Sequence, residues 1–166
     1  SLLLAGASNL NAADLVVEEF GTFPTYSSIT NAVAAAVDGD RIIIKNRAGN
    51  IPWIENITVN KSLEFLSFDN DTFFVVQGNY TLVGATGRNI SFIGMKNLSG
   101  SISYGSSTGV QKGTNVHILG SMFIAGGISM NSYFFNTVIA HTQIDDGEIR
   151  LCFGAVIGCE IKSITT

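Results

Sequence analysis

Apolar residues along this chain follow two patterns, and the change between them comes early. Ile29, Ala32, Val33 and Ala36 recur at helical spacing behind Ser27 and Ser28, either of which suits an N-cap. The pattern predicts one short helix over 28–37, stopped by Asp38-Gly39-Asp40. With a single apolar stripe it can lie across another element but cannot form a core alone. Before it, Leu15-Val16-Val17 reads as a strand and 21–25 as a turn-rich connection. From Arg41 onward the helical period disappears. Short runs rich in Val, Ile, Phe, Tyr and Thr follow, each closed by Gly, Asn or Ser. They include Ile42-Ile43-Ile44, Ile57-Thr58-Val59, Leu63 to Leu66, Phe73 to Val76, Tyr80 to Val83, Ile90 to Ile93 and Val116 to Leu119. Tyr133 to Phe135, Thr137 to Ile139 and Leu151 to Phe153 complete the series.

The runs repeat inexactly. Asn89-Ile90-Ser91-Phe92-Ile93-Gly94 matches Asn115-Val116-His117-Ile118-Leu119-Gly120, and the stretches ending at Asn136 and Gly154 are looser copies. Aligned on those closing residues, the steps are 26, 16 and 18 residues. A variable step suits a solenoid with a fixed strand core and turns of varying length. Only Asp38-Gly39 and Asp146-Gly147 supply two-residue hairpin signals, too few for a β-meander. A left-handed hexapeptide helix is excluded because no six-residue repeat exists. The expectation is an all-β, right-handed parallel β-helix over 14–166 with an N-terminal capping α-helix. It has about five or six coils stacked at about 4.8 Å. Ile93 and Leu119, or their immediate alternates, are expected in one interior column.

Tyr26-Ser27-Ser28-Ile29-Thr30-Asn31-Ala32-Val33, continuing through Asp38-Gly39-Asp40-Arg41-Ile42-Ile43-Ile44, resembles the N-terminal signature of pectin-lyase-like β-helix proteins. The segment from Trp53 to Leu66 continues the likeness, which is close over 15–66 and rests on pattern beyond that. It is nearest to secreted or surface proteins of Gram-negative bacteria. The resemblance implies a helix plugging the open end of the first coil, and it implies export. It leaves function open, since the superfamily holds lyases, hydrolases, adhesins and phage fibres.

Composition narrows the choice. Charged residues make up 13% of the 166 residues and hydrophobic ones 46%, so the surface is built from Ser, Thr, Asn and Gly. Net charge is −4, and the nine basic residues are scattered, which argues against nucleic acid and anionic membrane as partners. No apolar run reaches the roughly 18 residues of a membrane span. Residues 1–13 read equally well as the remnant of a signal peptide or as an N-terminal cap strand. At the other end the pattern stops in mid-coil without a plug. The β-helix is therefore expected to continue, or to dock a protein partner on its open last coil.

Candidate chemistry is sparse. Between Asp71 and Asp145 there is neither Asp nor Glu, so the central coils offer no carboxylate pair for glycoside hydrolysis and few ligands for calcium. Asp145 and Asp146, with Glu148, Arg150 and His141, form the densest polar group and the only catalytic candidates; a charged turn, Asp145-Asp146-Gly147, is the preferred reading of them. Asp69-Asn70-Asp71 begins like a calcium loop but runs into Thr72-Phe73-Phe74. His117 and His141 are too far apart in register for a metal site. Trp53, the sole Trp, reads as a sugar-stacking platform or as cover for the edge of the first coil. Cys152 and Cys159 read as two small buried residues or as a disulfide across a turn. Asn side chains are expected to stack in ladders at inward turns. No cofactor is implied. The acid-free centre favours a non-catalytic β-helix, and with the export that the resemblance implies the expectation is a secreted or surface protein used for adhesion or display of a glycan or other ligand. The alternative is a polysaccharide-active lyase or hydrolase of the same fold.

Overall fold

A computed structural model describes residues 12–69, 72–105, 113–130 and 135–162. Its strands pair in parallel throughout, coil on coil, and wind into a β-solenoid of about five turns. Each coil has three faces. The first face stacks Asp14–Val17, Arg41–Ile44, Leu63–Ser67, Asn89–Ile93, Thr114–Leu119, Phe135–Ala140 and Gly154–Ile157 in chain order. The second face includes Trp53–Ile54, Phe74–Gln77, Met95–Asn97, the first half of Met122–Met130, Gln143–Asp146 and Glu160–Ile161. The third takes Ile57–Val59, Tyr80–Leu82, Gly100–Tyr104, the second half of Met122–Met130 and Ile149–Leu151.

Alternation along each strand sends every second side chain inward, and parallel register turns those side chains into columns. On the first face Ile42, Phe65, Phe92, Ile118 and Ile139 follow one another, all fully buried. Phe65 and Phe92 stack at 4.8 Å between ring centroids, and Tyr80 meets both edge-on. The second face contributes Trp53, Val76, Asn97, Phe123 and Ile144, and the third Ile57, Tyr80, Ile102 and Ile128. Both of the first two columns lose their cover at the last coil. Val156, next below Ile139, is 47% exposed, and Ile161, below Ile144, is 50% exposed.

The helix spans Ile29–Ala35 and packs on strands of the first coil, with Ile29, Ala32 and Val33 buried. Ser28 is its N-cap, its Oγ accepting from Asn31 N at 3.1 Å. It ends two residues before the expected stop because side chains from the next coil take over the helix termini. Glu55 accepts from Ile29 N (2.9 Å) and Thr30 N (2.8 Å). Lys61 Nζ donates to the carbonyls of Val33, Ala34 and Ala36. The nearly buried Asp40 then accepts from Val37 N (2.8 Å) and Ala13 N (2.9 Å), so the Asp38-Gly39-Asp40 turn is fastened on both sides.

The expected interior column is formed by the alternates: Ile93 and Leu119 are in register but point outward, half-buried, and Phe92 and Ile118 are the interior pair. Other expectations need correcting. The closing position after Gly94 and Gly120 is not Asn136 and Gly154. It is His141 and Gly158, so the steps are 26, 21 and 17 residues. The physical marker is the backbone. All four residues have left-handed φ, 67, 52, 51 and 58°, at the corner where the first face turns into the second. Asn136 instead is the second residue of its strand, and it continues a ladder that faces solvent rather than the interior. Asn115 Nδ2 donates to Asn89 Oδ1 at 2.9 Å, and Asn136 Nδ2 to Asn115 Oδ1 at 3.4 Å. The expected Leu151–Phe153 strand ends at Leu151. Residues 1–11, Asn70, Asp71, Tyr133 and Phe134 lie outside the described residues.

Candidate functional site

Three places could carry function: the acidic corner of the fifth coil, the cysteine pair and the surface around Trp53. The acidic corner belongs to a trough where the second face turns into the third. Glu55, Gly78, Gly100, Gly126 and Gly147 stack there in register. The glycines are required by space: a Cβ on Gly126 would lie 2.1 Å from Gly100 O, and one on Gly100 2.3 Å from Gly78 O. Beside them Asn56 Oδ1 accepts from Asn79 N (2.9 Å), and Asn79 Oδ1 accepts from Ser101 N (3.0 Å). Each coil is thus tied to the next by side chain to backbone bonds.

Asp146 and Glu148 line the lower end of this trough together with Ser101 and Ser129. Asp145 does not join them. Outward on the second face, it accepts from Gln143 Nε2 and lies 3.9 Å from Lys162 Nζ. Arg150 turns to Glu148, at 2.7 Å. His141 stands at the corner between the first and second faces, its ring against Gly158, and His117 pairs in register with Val138. The candidates that are close in sequence are therefore divided between different edges of the solenoid. Among the described residues no three His, Cys, Asp or Glu side chains gather as metal ligands.

Cys152 and Cys159 are both half-buried, and no disulfide joins them. Cys159 has a structural setting that its sequence neighbours did not reveal. It follows Gly158 at the corner, as Ser121 follows Gly120 and Thr142 follows His141. Ser121 Oγ donates to Leu119 O (3.1 Å), Thr142 Oγ1 to Ala140 O (3.1 Å) and Cys159 Sγ to Ile157 O (3.5 Å). Each small polar side chain gives a second donor to the carbonyl two residues before it, which already accepts from the corner N–H of the preceding coil, Gly94, Gly120 or His141. Cys152 N bonds to Met130 O at 3.3 Å.

No family model, curated protein or solved structure matches this chain. The geometry alone has to carry the reading.

Trp53 is 6% exposed, so its ring offers no open face for a sugar. Its Nε1 donates to Lys45 O at 3.0 Å, and Arg47 covers the ring with its guanidinium carbon 5.5 Å from the centroid. Arg47 in turn pairs with Glu19 at 3.1 Å. That pair is one of three fastening the first strand to the second coil edge, with Asp14–Arg41 (2.6 Å) and Glu18–Lys45 (2.6 Å). The Lys45 ammonium hydrogen-bonded to Glu18 lowers the pKa of that carboxyl, and the Asp14 carboxylate raises that of Arg41. In the core, burial raises the pKa of the Tyr80 phenol far above the usual range, with a smaller contribution from Glu55.

Proposed function

We propose that this chain is a non-catalytic β-helix of the pectin-lyase-like kind, exported and used at the cell surface or outside it for adhesion or glycan display. The observation that carries the reading is how the carboxylates are used. Asp38, Asp40 and Glu55 hold backbone N–H groups, and Asp14, Glu18 and Glu19 form ion pairs between coils. Asp145 and Asp146 face different edges, and Glu148, which shares the trough with Asp146, is paired with Arg150 at 2.7 Å. Glycoside hydrolysis needs two carboxyl groups across one bond, about 5–10 Å apart and facing the same substrate. The surface that remains is an outward ladder of Asn and hydroxyl side chains, which can hydrogen-bond neutral polyols and carries little charge.

The reading is tested by incubating the chain with polygalacturonate and with neutral β-glucan and mannan, with and without calcium, and measuring new reducing ends and unsaturated products. Retention of the protein in affinity gels containing the neutral polymers, without turnover, is the expected result. Turnover that disappears in an Asp145→Asn, Asp146→Asn double variant would replace this reading with that of a lyase or hydrolase.

A further inference from the structure

Phe20 combines two unfavourable features. Its ring is 89% exposed, and its backbone is left-handed at φ 62°, a conformation that a bulky side chain rarely adopts. The bend is locked by its neighbours: Gly21 N bonds to Glu18 O at 3.0 Å, and Glu18 N to Tyr26 O at 2.9 Å. Replacing Gly21 would not relieve it, because a Cβ there meets Tyr26 O at 2.6 Å. The turn thus holds an aromatic ring out in solvent at a conformational cost. Local strain of this kind accumulates where a binding surface is pre-shaped.

The ring borders a concavity on the first coil whose other lining is polar apart from Trp53 and Ile54. Ser27 and Thr30 stand on the side of the helix, Glu19 and Arg47 on the side of the coil, and Ile54, 68% exposed, lies opposite. Glu19 and Arg47 are held in position by their own ion pair and by the stacking of Arg47 on Trp53. Together they present acceptor and donor groups side by side with no net charge. Glu55, also in the lining, has both carboxylate oxygens engaged by the N–H groups of Ile29 and Thr30 and by the Thr30 hydroxyl.

We propose that this concavity binds one hexose unit of a neutral glycan, with the C–H face of the sugar on the Phe20 ring and vicinal hydroxyls on the Glu19–Arg47 pair. A planar apolar platform beside a paired donor and acceptor matches a pyranose, which has an apolar face and a rim of adjacent hydroxyls. A uronate has no unpaired cation to meet here, since Arg47 is already engaged. The inference rests on the glycan-display reading above and adds to it where the sugar sits.

The test is affinity electrophoresis of the full chain in gels containing β-glucan, mannan or polygalacturonate, with Phe20→Gly and Phe20→Tyr variants beside it and the melting temperature of each. Phe20→Gly removes the ring and suits the left-handed backbone. It is expected to melt at the same or a higher temperature while losing about tenfold or more in affinity for the neutral polymer that binds. Phe20→Tyr is expected to keep binding. Neutral-glycan binding that is untouched by Phe20→Gly overturns this site and leaves the display reading standing. A wild-type chain that no polymer retards overturns both. Retention by polygalacturonate alone overturns the neutral-sugar assignment.

Discussion

Tyr80 lies fully buried between Phe65 and Phe92, with no partner for its hydroxyl among the described residues. Because burial raises its pKa, the phenol stays neutral while the fold persists. Spectrophotometric titration should show it failing to ionise above about pH 10, where a free tyrosine does, and then ionising together with unfolding. Glu18 works in the opposite direction. Its folded pKa lies below the ordinary value of 4.5, so its contribution is present above that value and is lost as pH falls through the lowered one. Denaturation midpoints measured through the acid range should therefore fall below about pH 4.5, and less so in Glu18→Gln. The two classes of corner glycine should also part company. Gly126→Ala places a Cβ against Gly100 O at a φ of 114° and should cost about 3 kcal/mol or more in chemical denaturation. Gly120→Asn has open space around its Cβ, and the next coil already tolerates His141 at the same left-handed corner. It should cost no more than about 1 kcal/mol.

Among the elements, the helix was the most legible in the sequence, because its cap, stripe and stop are all local signals. What holds it was not legible. Glu55 and Lys61 arrive from the next coil, about 25 residues away, and nothing in their own neighbourhood marks them as clamps. Glu55→Ala leaves two helix N–H groups without their acceptor and should lower stability by about 1–3 kcal/mol in denaturant titrations. Strands with regular apolar alternation, such as Leu63–Ser67 and Thr114–Leu119, were readable, whereas Gly100–Tyr104 and Met122–Met130 were not. Their Ser and Gly residues carry no alternation. They are strands because the coils on either side offer a ladder, so tertiary context decides. The site around Phe20 was missed for a similar reason: an aromatic residue before a glycine in a turn shows neither its exposure nor its φ.

At the scale of the whole molecule, the sequence repeat carried the solenoid but misplaced two of its corners. Aligning on Asn136 and Gly154 chose residues that resemble strand ends by type, whereas the corner is defined by left-handed backbone that Gly94, Gly120, His141 and Gly158 share. The correction matters because a shift of one residue reverses every side chain between core and solvent. Ile118→Asp should abolish soluble folding, since it buries an unpaired charge at a cost of several kcal/mol, while Leu119→Asp should still give folded protein. Isotope-edited nuclear Overhauser spectroscopy of the intact chain tests the stacking most directly. Ile118 should show parallel-strand contacts to Phe92 on one side and Ile139 on the other, and Phe135 should lie beside Thr114. Antiparallel contacts in this region, or Phe135 found beside Leu119, would contradict the parallel coil register.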